Sequence, residues 1–298
     1  MVFRRAFTLL ELIIVIVLLG IVGVMSTDIV SQTYRNYVYQ KEVADLQSRS
    51  KQLVDQITQY LERSIKPSVA RLDGVNHASV WDIGLSDANQ SNNAYLEWIG
   101  KDLESQRGEW NGTMVYPGYS GLANVRDSNG TNVITTDCNL SLIDPIQNRL
   151  TGETLIMAGV NRYRTALYFV YANSDGTVEQ RFWVNPTSLF GITGLDSPVK
   201  GVIQLAFAPP EIGELYYLAY SAYAIQLEND GTLQLYQNFR PWNGEVIDQI
   251  RIDPLVLMEN VTSFEYWSES QGTMLRFKVC LRGDDAQVRV CKEGVVLR

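Results

Sequence analysis

The sequence predicts an α+β fold in which a long N-terminal helix packs on an antiparallel β-sheet domain, and three features of its 298 residues support this. An apolar run opens the chain. An amphipathic pattern without Pro or Gly continues it from position 28 to 65. Paired aromatic and β-branched segments around Gly-containing turns fill the second half. Lys and Arg number 25 against 33 Asp and Glu, a formal net charge of -8, and no basic cluster is denser than Arg4-Arg5. That balance argues against a partner with a phosphate backbone, so no nucleic acid is expected.

The opening run, "FRRAFTLLELIIVIVLLGIVGV", places Glu11 inside otherwise apolar sequence. A secretory signal peptide fits Arg4-Arg5, but not a carboxylate within its apolar stretch. Phe7 to Met25 is 19 residues, about 28 Å of helix, just enough to span a bilayer. An acid near the centre of such a span costs about 2.5–3.5 kcal/mol, and less near its edge. A soluble core helix would not be apolar on every face at this length. None of these readings accounts for Glu11.

Almost residue for residue, "RRAFTLLELIIVIVLLGIVGV" resembles the N-terminal signature of type IV pilins and type II secretion pseudopilins. The resemblance implies a basic leader, 1–6, containing Arg4 and Arg5 and removed by a prepilin peptidase between Ala6 and Phe7. It also implies N-methylation of Phe7 and retention of Glu11 in the helix for subunit assembly. Where the family usually has Gly before the cut this chain has Ala6, the nearest small substitute, so processing is expected. The expected location is the bacterial inner membrane, single-pass with a periplasmic C-terminal domain, and then a pilus or pseudopilus filament. The expected partners are the prepilin peptidase, other major and minor pilins or pseudopilins, the inner-membrane assembly platform and the membrane itself. Electrostatics gives the glutamate a purpose. The cationic amine of a processed Phe7 needs a counter-charge in an apolar bundle, and a neighbouring subunit's Glu11 supplies one at a fixed axial register.

Beyond the span, Val30, Tyr34, Tyr37, Val38, Val43, Leu46, Leu53, Val54, Ile57, Leu61 and Ile65 recur mostly at intervals of three or four. One helix is therefore expected from Phe7 to about Ser64, with 7–27 as its membrane and assembly half and 28–65 as its amphipathic half. The spacing is no strict heptad, which favours packing against a sheet over a coiled coil. Residues 66–298 are expected to form the β-rich globular domain. Its stretch 66–153, dense in Asn, Ser, Gly and Asp, is expected to be variable and loop-rich.

Hairpins are predicted around Ser174-Asp175-Gly176, around Asn229-Asp230-Gly231 and in "MLRFKVCLRGDDAQVRVCKEGVVL". Asp and Asn at the first two turns are too few for a calcium loop. If the last turn occupies Asp284 to Gln287, Cys280 faces Cys291, and a disulfide is predicted, consistent with an oxidising compartment. Cys138 is left over, either inert or paired between chains. The thiols lack C-x-x-C spacing, so no metal site is expected, and no cofactor is implied.

Three functions compete. A chain this long suits a minor pilin or pseudopilin that initiates or caps a filament. The alternative is a pilus-tip adhesin using Trp98, Trp110, Tyr116 and Tyr119 on a glycan or surface. A membrane-anchored hydrolase ranks last. Its chemistry would rest on the single histidine, His77, read as a solvated loop residue, and no G-x-S-x-G is present. No catalytic residue is assigned.

Overall fold

The computed structural model describes residues 9–86, 94–110, 112–155, 162–170, 175–196, 201–247, 253–283 and 288–298. Helix α1, Leu9–Glu62, runs 54 residues, about 80 Å. Its buried side chains, Leu46, Ser50, Leu53, Val54, Ile57 and Leu61, recur at helical spacing and mark one face of the last third. Pro67 follows the helix, and the Lys66 ammonium donates to the Leu61 carbonyl at 2.9 Å, satisfying one of the orphan acceptors at the helix end.

Three strands follow the helix: β1 (Ala70–Asp73), β2 (Asn76–Ser79) and β3 (Tyr95–Ile99). Helix α2 (Leu103–Arg107) leads into the short strands β4 (Glu109–Trp110) and β5 (Val115–Tyr116). Next come β6 (Asn132–Thr135), α3 (Ile143–Thr151), β7 (Ala166–Val170), β8 (Phe190–Asp196), β9 (Gly201–Leu205) and β10 (Leu215–Ala219). The chain ends with β11 (Ala222–Leu227), β12 (Leu233–Phe239), β13 (Leu255–Met258), β14 (Val261–Glu269), β15 (Met274–Arg282) and β16 (Arg289–Leu297).

A six-stranded sheet has the order β13-β12-β11-β3-β1-β2, and a three-stranded sheet the order β14-β15-β16. Between them Leu96, Trp98, Ile225, Leu235, Phe264 and Phe277 form one core with the buried face of α1. The helix thus packs on sheet, as its irregular spacing predicts. Three strands of the larger sheet, β1 to β3, come from the Asn- and Gly-rich stretch beginning at Lys66.

Between β3 and β11 the chain builds a second unit. Its five strands have the order β10-β7-β8-β9-β6. The segment from Gly121 to Asn124 bridges both edges, with Leu122 opposite Leu215 and Ala123 opposite Thr135. Backbone bonds from Tyr216 N–H to Gly121 O and from Asn124 N–H to Ile134 O close the sheet into a small barrel. Val133, Leu167, Phe169, Ile192, Ile203, Tyr216 and Leu218 fill it. A second apolar layer, including Ala70, Ile99, Ala166, Tyr168, Phe182, Trp183 and Ala224, joins barrel to main sheet.

Of the predicted hairpins, β11–β12 and β15–β16 form as expected. The one around Asp175-Gly176 does not. Glu179–Trp183 is a π-helical turn, and β7 pairs with β8 and β10 instead. Phe182 and Trp183, adjacent in sequence, are both buried, which the alternation of a half-buried strand would not allow. The Trp183 indole N–H donates to Ser68 O at 3.0 Å, tying the turn to the segment between α1 and β1.

Candidate functional site: the exposed helix and its support

Glu11 lies on α1 and is exposed. Arg4, Arg5, Ala6 and Phe7 lie outside the described residues. From Leu9 through Tyr39 all but one residue is exposed, so this part of the helix meets none of the domain's core. Among the described residues, α1 alone is long and apolar enough to cross a membrane. Past the apolar run, Ser26 and Thr27 turn their hydroxyls back onto Val22 O and Gly23 O at 2.8 and 2.9 Å. Their donors are satisfied within the helix, which suits the edge of a bilayer.

The part of α1 that remains with the domain is gripped by β15 and β16. Backbone bonding from Gly283 N–H to Val288 O fixes the register, and the alternation places Cys280 and Cys291 at a non-hydrogen-bonded position. They form a disulfide across adjacent strands, their Cα atoms 4.0 Å apart. Glu42 packs on Gly283, at the tip of this hairpin, where the helix leaves the domain. Cys138 is a free thiol, half-buried, with Sγ 3.7 Å from Thr135 Oγ1, and burial raises its pKa.

His77 is not a solvated loop residue. It lies on β2, its side chain 5% exposed, with Nε2 3.1 Å from the Glu97 carboxylate and the imidazole stacked on Trp183 at 5.4 Å. The β1–β2 hairpin, turning at Gly74 with φ +62°, carries it there. Two of the four proposed surface aromatics are also elsewhere. Trp98 stacks on Tyr223 inside the core, and Tyr119 donates to Asp102 O at 2.8 Å inside the barrel unit. Trp110 and Tyr116 are exposed.

A buried polar cluster joins barrel and main sheet, and nothing in the sequence pattern signals it. The Asp102 carboxylate accepts from Ser105 N–H at 3.0 Å and from the Gln147 amide at 2.5 Å; burial pushes its pKa up. Arg164 donates to Gln147 Oε1 at 3.0 Å and Asp144 Oδ1 at 2.8 Å, while Arg240 meets Glu153 and donates to Arg164 O. Each charge has a partner, so the cluster reads as a structural joint. Among the described residues no group of three His, Cys, Asp or Glu side chains is placed to hold a metal.

Residues 1–27 match the family described as the prokaryotic N-terminal methylation motif. The chain carries the type IV pilin and pseudopilin signal. No curated protein and no solved structure matches it. The pilin signal implies processing by a prepilin peptidase and assembly with other pilins, and the exposed apolar helix fits a membrane-anchored subunit that enters a filament. The motif is that of a structural family, and the match spans residues 1–27.

Proposed function

We propose that the chain is a minor pilin-like subunit that helps initiate or cap a type IV pilus or type II secretion pseudopilus. The leader, 1–6, is cut between Ala6 and Phe7 and Phe7 is N-methylated. Residues 7–27 sit in the inner membrane, 28–65 form the stem and 66–298 the periplasmic domain, which docks on the assembly platform and other minor subunits. Glu11 pairs with the terminal amine of a neighbour. The observation that carries this reading is the motif match at 1–27 on a helix whose first thirty or so residues touch none of the domain's core. The barrel inserted between β3 and β11 supports a specialised subunit, because it adds surface that a repeating filament subunit has no need of.

Two measurements test it. Intact mass and N-terminal sequencing of the membrane-extracted protein should give N-methyl-Phe7; an intact Met1 would refute processing. Glu11→Ala should leave the protein processed and in the membrane while blocking piliation or secretion, and undisturbed assembly would remove the role given to Glu11. Adhesion is a second reading favoured by the exposure of Trp110 and Tyr116. It requires that substituting them abolishes surface binding at normal filament number.

A further inference from the structure

We infer that Asn129 is a glycosylation site, its carboxamide nitrogen taking an oligosaccharide from a lipid-pyrophosphate donor after the globular domain is exported. The inference rests on that export, as proposed above. Five Asn-x-Ser/Thr triplets without Pro occur in the chain, at Asn89, Asn111, Asn129, Asn139 and Asn260, and this triplet is the acceptor pattern for N-linked sugar in exported chains. All but Asn260 have Asp or Glu two residues before the asparagine, in a chain where only 33 of 298 residues are acidic. That coincidence marks a longer pattern, acid-x-Asn-x-Ser/Thr. Positions two apart line one face of an extended segment, so acid, amide and hydroxyl form a strip that an enzyme groove can recognise, the carboxylate meeting a cationic side chain.

Asn89 and Asn111 lie outside the described residues, and the fold separates the other three. Asn260 lacks the acid, and the Thr262 hydroxyl is engaged by Cys280 O at 3.2 Å on β14. Asn139 is half-buried, and its Oδ1 accepts from the Ser141 N–H at 3.2 Å and the Ser141 hydroxyl at 2.6 Å, so its amide and hydroxyl satisfy one another. Asn129 differs on both counts. It is exposed together with Asp127 and Thr131, and none of the described residues engages its carboxamide or the Thr131 hydroxyl.

The backbone presents this acceptor on a protruding turn. Asn129 N–H donates to Asn132 O and Asn132 N–H to Asn129 O, both at 2.9 Å, closing a two-residue turn in which Gly130 has φ +56°. A Cβ at Gly130 would meet no atom within 4 Å, so the turn stands clear of the barrel and leaves room for a bulky sugar. Transfer by a membrane-bound oligosaccharyltransferase joins Asn129 Nδ2 to C1 of the first sugar. It breaks the bond from C1 to the donor's pyrophosphate oxygen, which leaves with the electron pair, while one Nδ2 proton passes to a base of the transferase. The Cys280–Cys291 disulfide agrees with an exported domain.

The test maps peptides of the full chain by mass spectrometry, together with its N-terminus, after extraction from membranes of the cells that naturally make it. An oligosaccharide on Asn129 is expected. It should vanish in Asn129→Gln and in Thr131→Ala and persist in Thr131→Ser. Occupancy should fall by about tenfold in Asp127→Asn, which removes the charge but keeps an acceptor for Asn124. Bare Asn129 on a chain that begins at N-methyl-Phe7 overturns the inference and leaves the pilin reading intact, whereas bare Asn129 on a chain that begins at Met1 overturns both. Sugar that survives Thr131→Ala, or is indifferent to Asp127→Asn, also overturns it, as does deamidation of Asn129 without added sugar.

Discussion

Gly294 on β16 lies against the ring of Phe277 on β15, its cross-strand partner: a Cβ at position 294 would stand 2.3 Å from Phe277 Cζ. Phe277 is wholly buried in the core that holds α1, so the ring has no room to yield. Gly294→Ala is expected to destabilise the protein by about 1–3 kcal/mol through overpacking, and Phe277→Leu in the same chain to recover part of the loss. Urea denaturation of the detergent-solubilised chain measures both. A Gly294→Ala midpoint equal to that of the parent would contradict the packing.

The disulfide between the same two strands guards the same grip. Cys280 and Cys291 are 11 residues apart, and removing the bond with Cys280→Ser and Cys291→Ser should cost about 2–3 kcal/mol. The loss has a place as well as a size. Because Glu42 packs on Gly283, hydrogen exchange should quicken around residues 42 to 46 before it does in the barrel. Uniform acceleration would mean that the hairpin does not anchor the helix.

His77 and Glu97 meet on the face of the main sheet that the barrel unit covers, with Trp183 stacked on the imidazole. Glu97→Ala and His77→Ala should each cost about 1–3 kcal/mol, with a coupling of about 0.5–3 kcal/mol in the double-mutant cycle. Strict additivity would show that the two side chains are neighbours without an interaction.

What can be read from the sequence follows from the range of each signal. The helix, its buried face and the two regular hairpins depend on residues within a few positions of one another, as does the opposition of Cys280 to Cys291. The barrel depends on pairs such as Val133 with Ile203, which no local period encodes. The π-helical turn at Glu179–Trp183 escapes its sequence pattern because aromatic and β-branched composition mimics a strand, while the space between two layers sets its geometry. The burial of His77 and Trp98 is hidden for a related reason. Polarity or a loop-like neighbourhood says little about burial once a distant element covers the site, as Trp183 covers His77 and Tyr223 covers Trp98. The methylation motif is legible because it is contiguous.

Lys66 offers a test by pH. Burial, with the charge of Lys101 adding to it and Glu62 partly offsetting it, lowers its pKa from 10.5 to about 8. The folded chain therefore gives up this proton more readily than the unfolded chain. Stability is penalised while Lys66 is charged, below about pH 8, and the penalty is relieved as pH rises from there toward 10.5. The ammonium is only half-buried, and its bond to Leu61 O offsets some of the penalty, so the net effect is small. Relative to Lys66→Met, the parent chain should gain thermal stability between pH 8 and 10 and show no change in the difference between pH 6 and 7.5. A difference that is flat across the whole range would mean that the ammonium at the end of α1 is solvated, and that the junction between helix, main sheet and barrel is looser than the buried Ser64, Ile65 and Asp102 around it require.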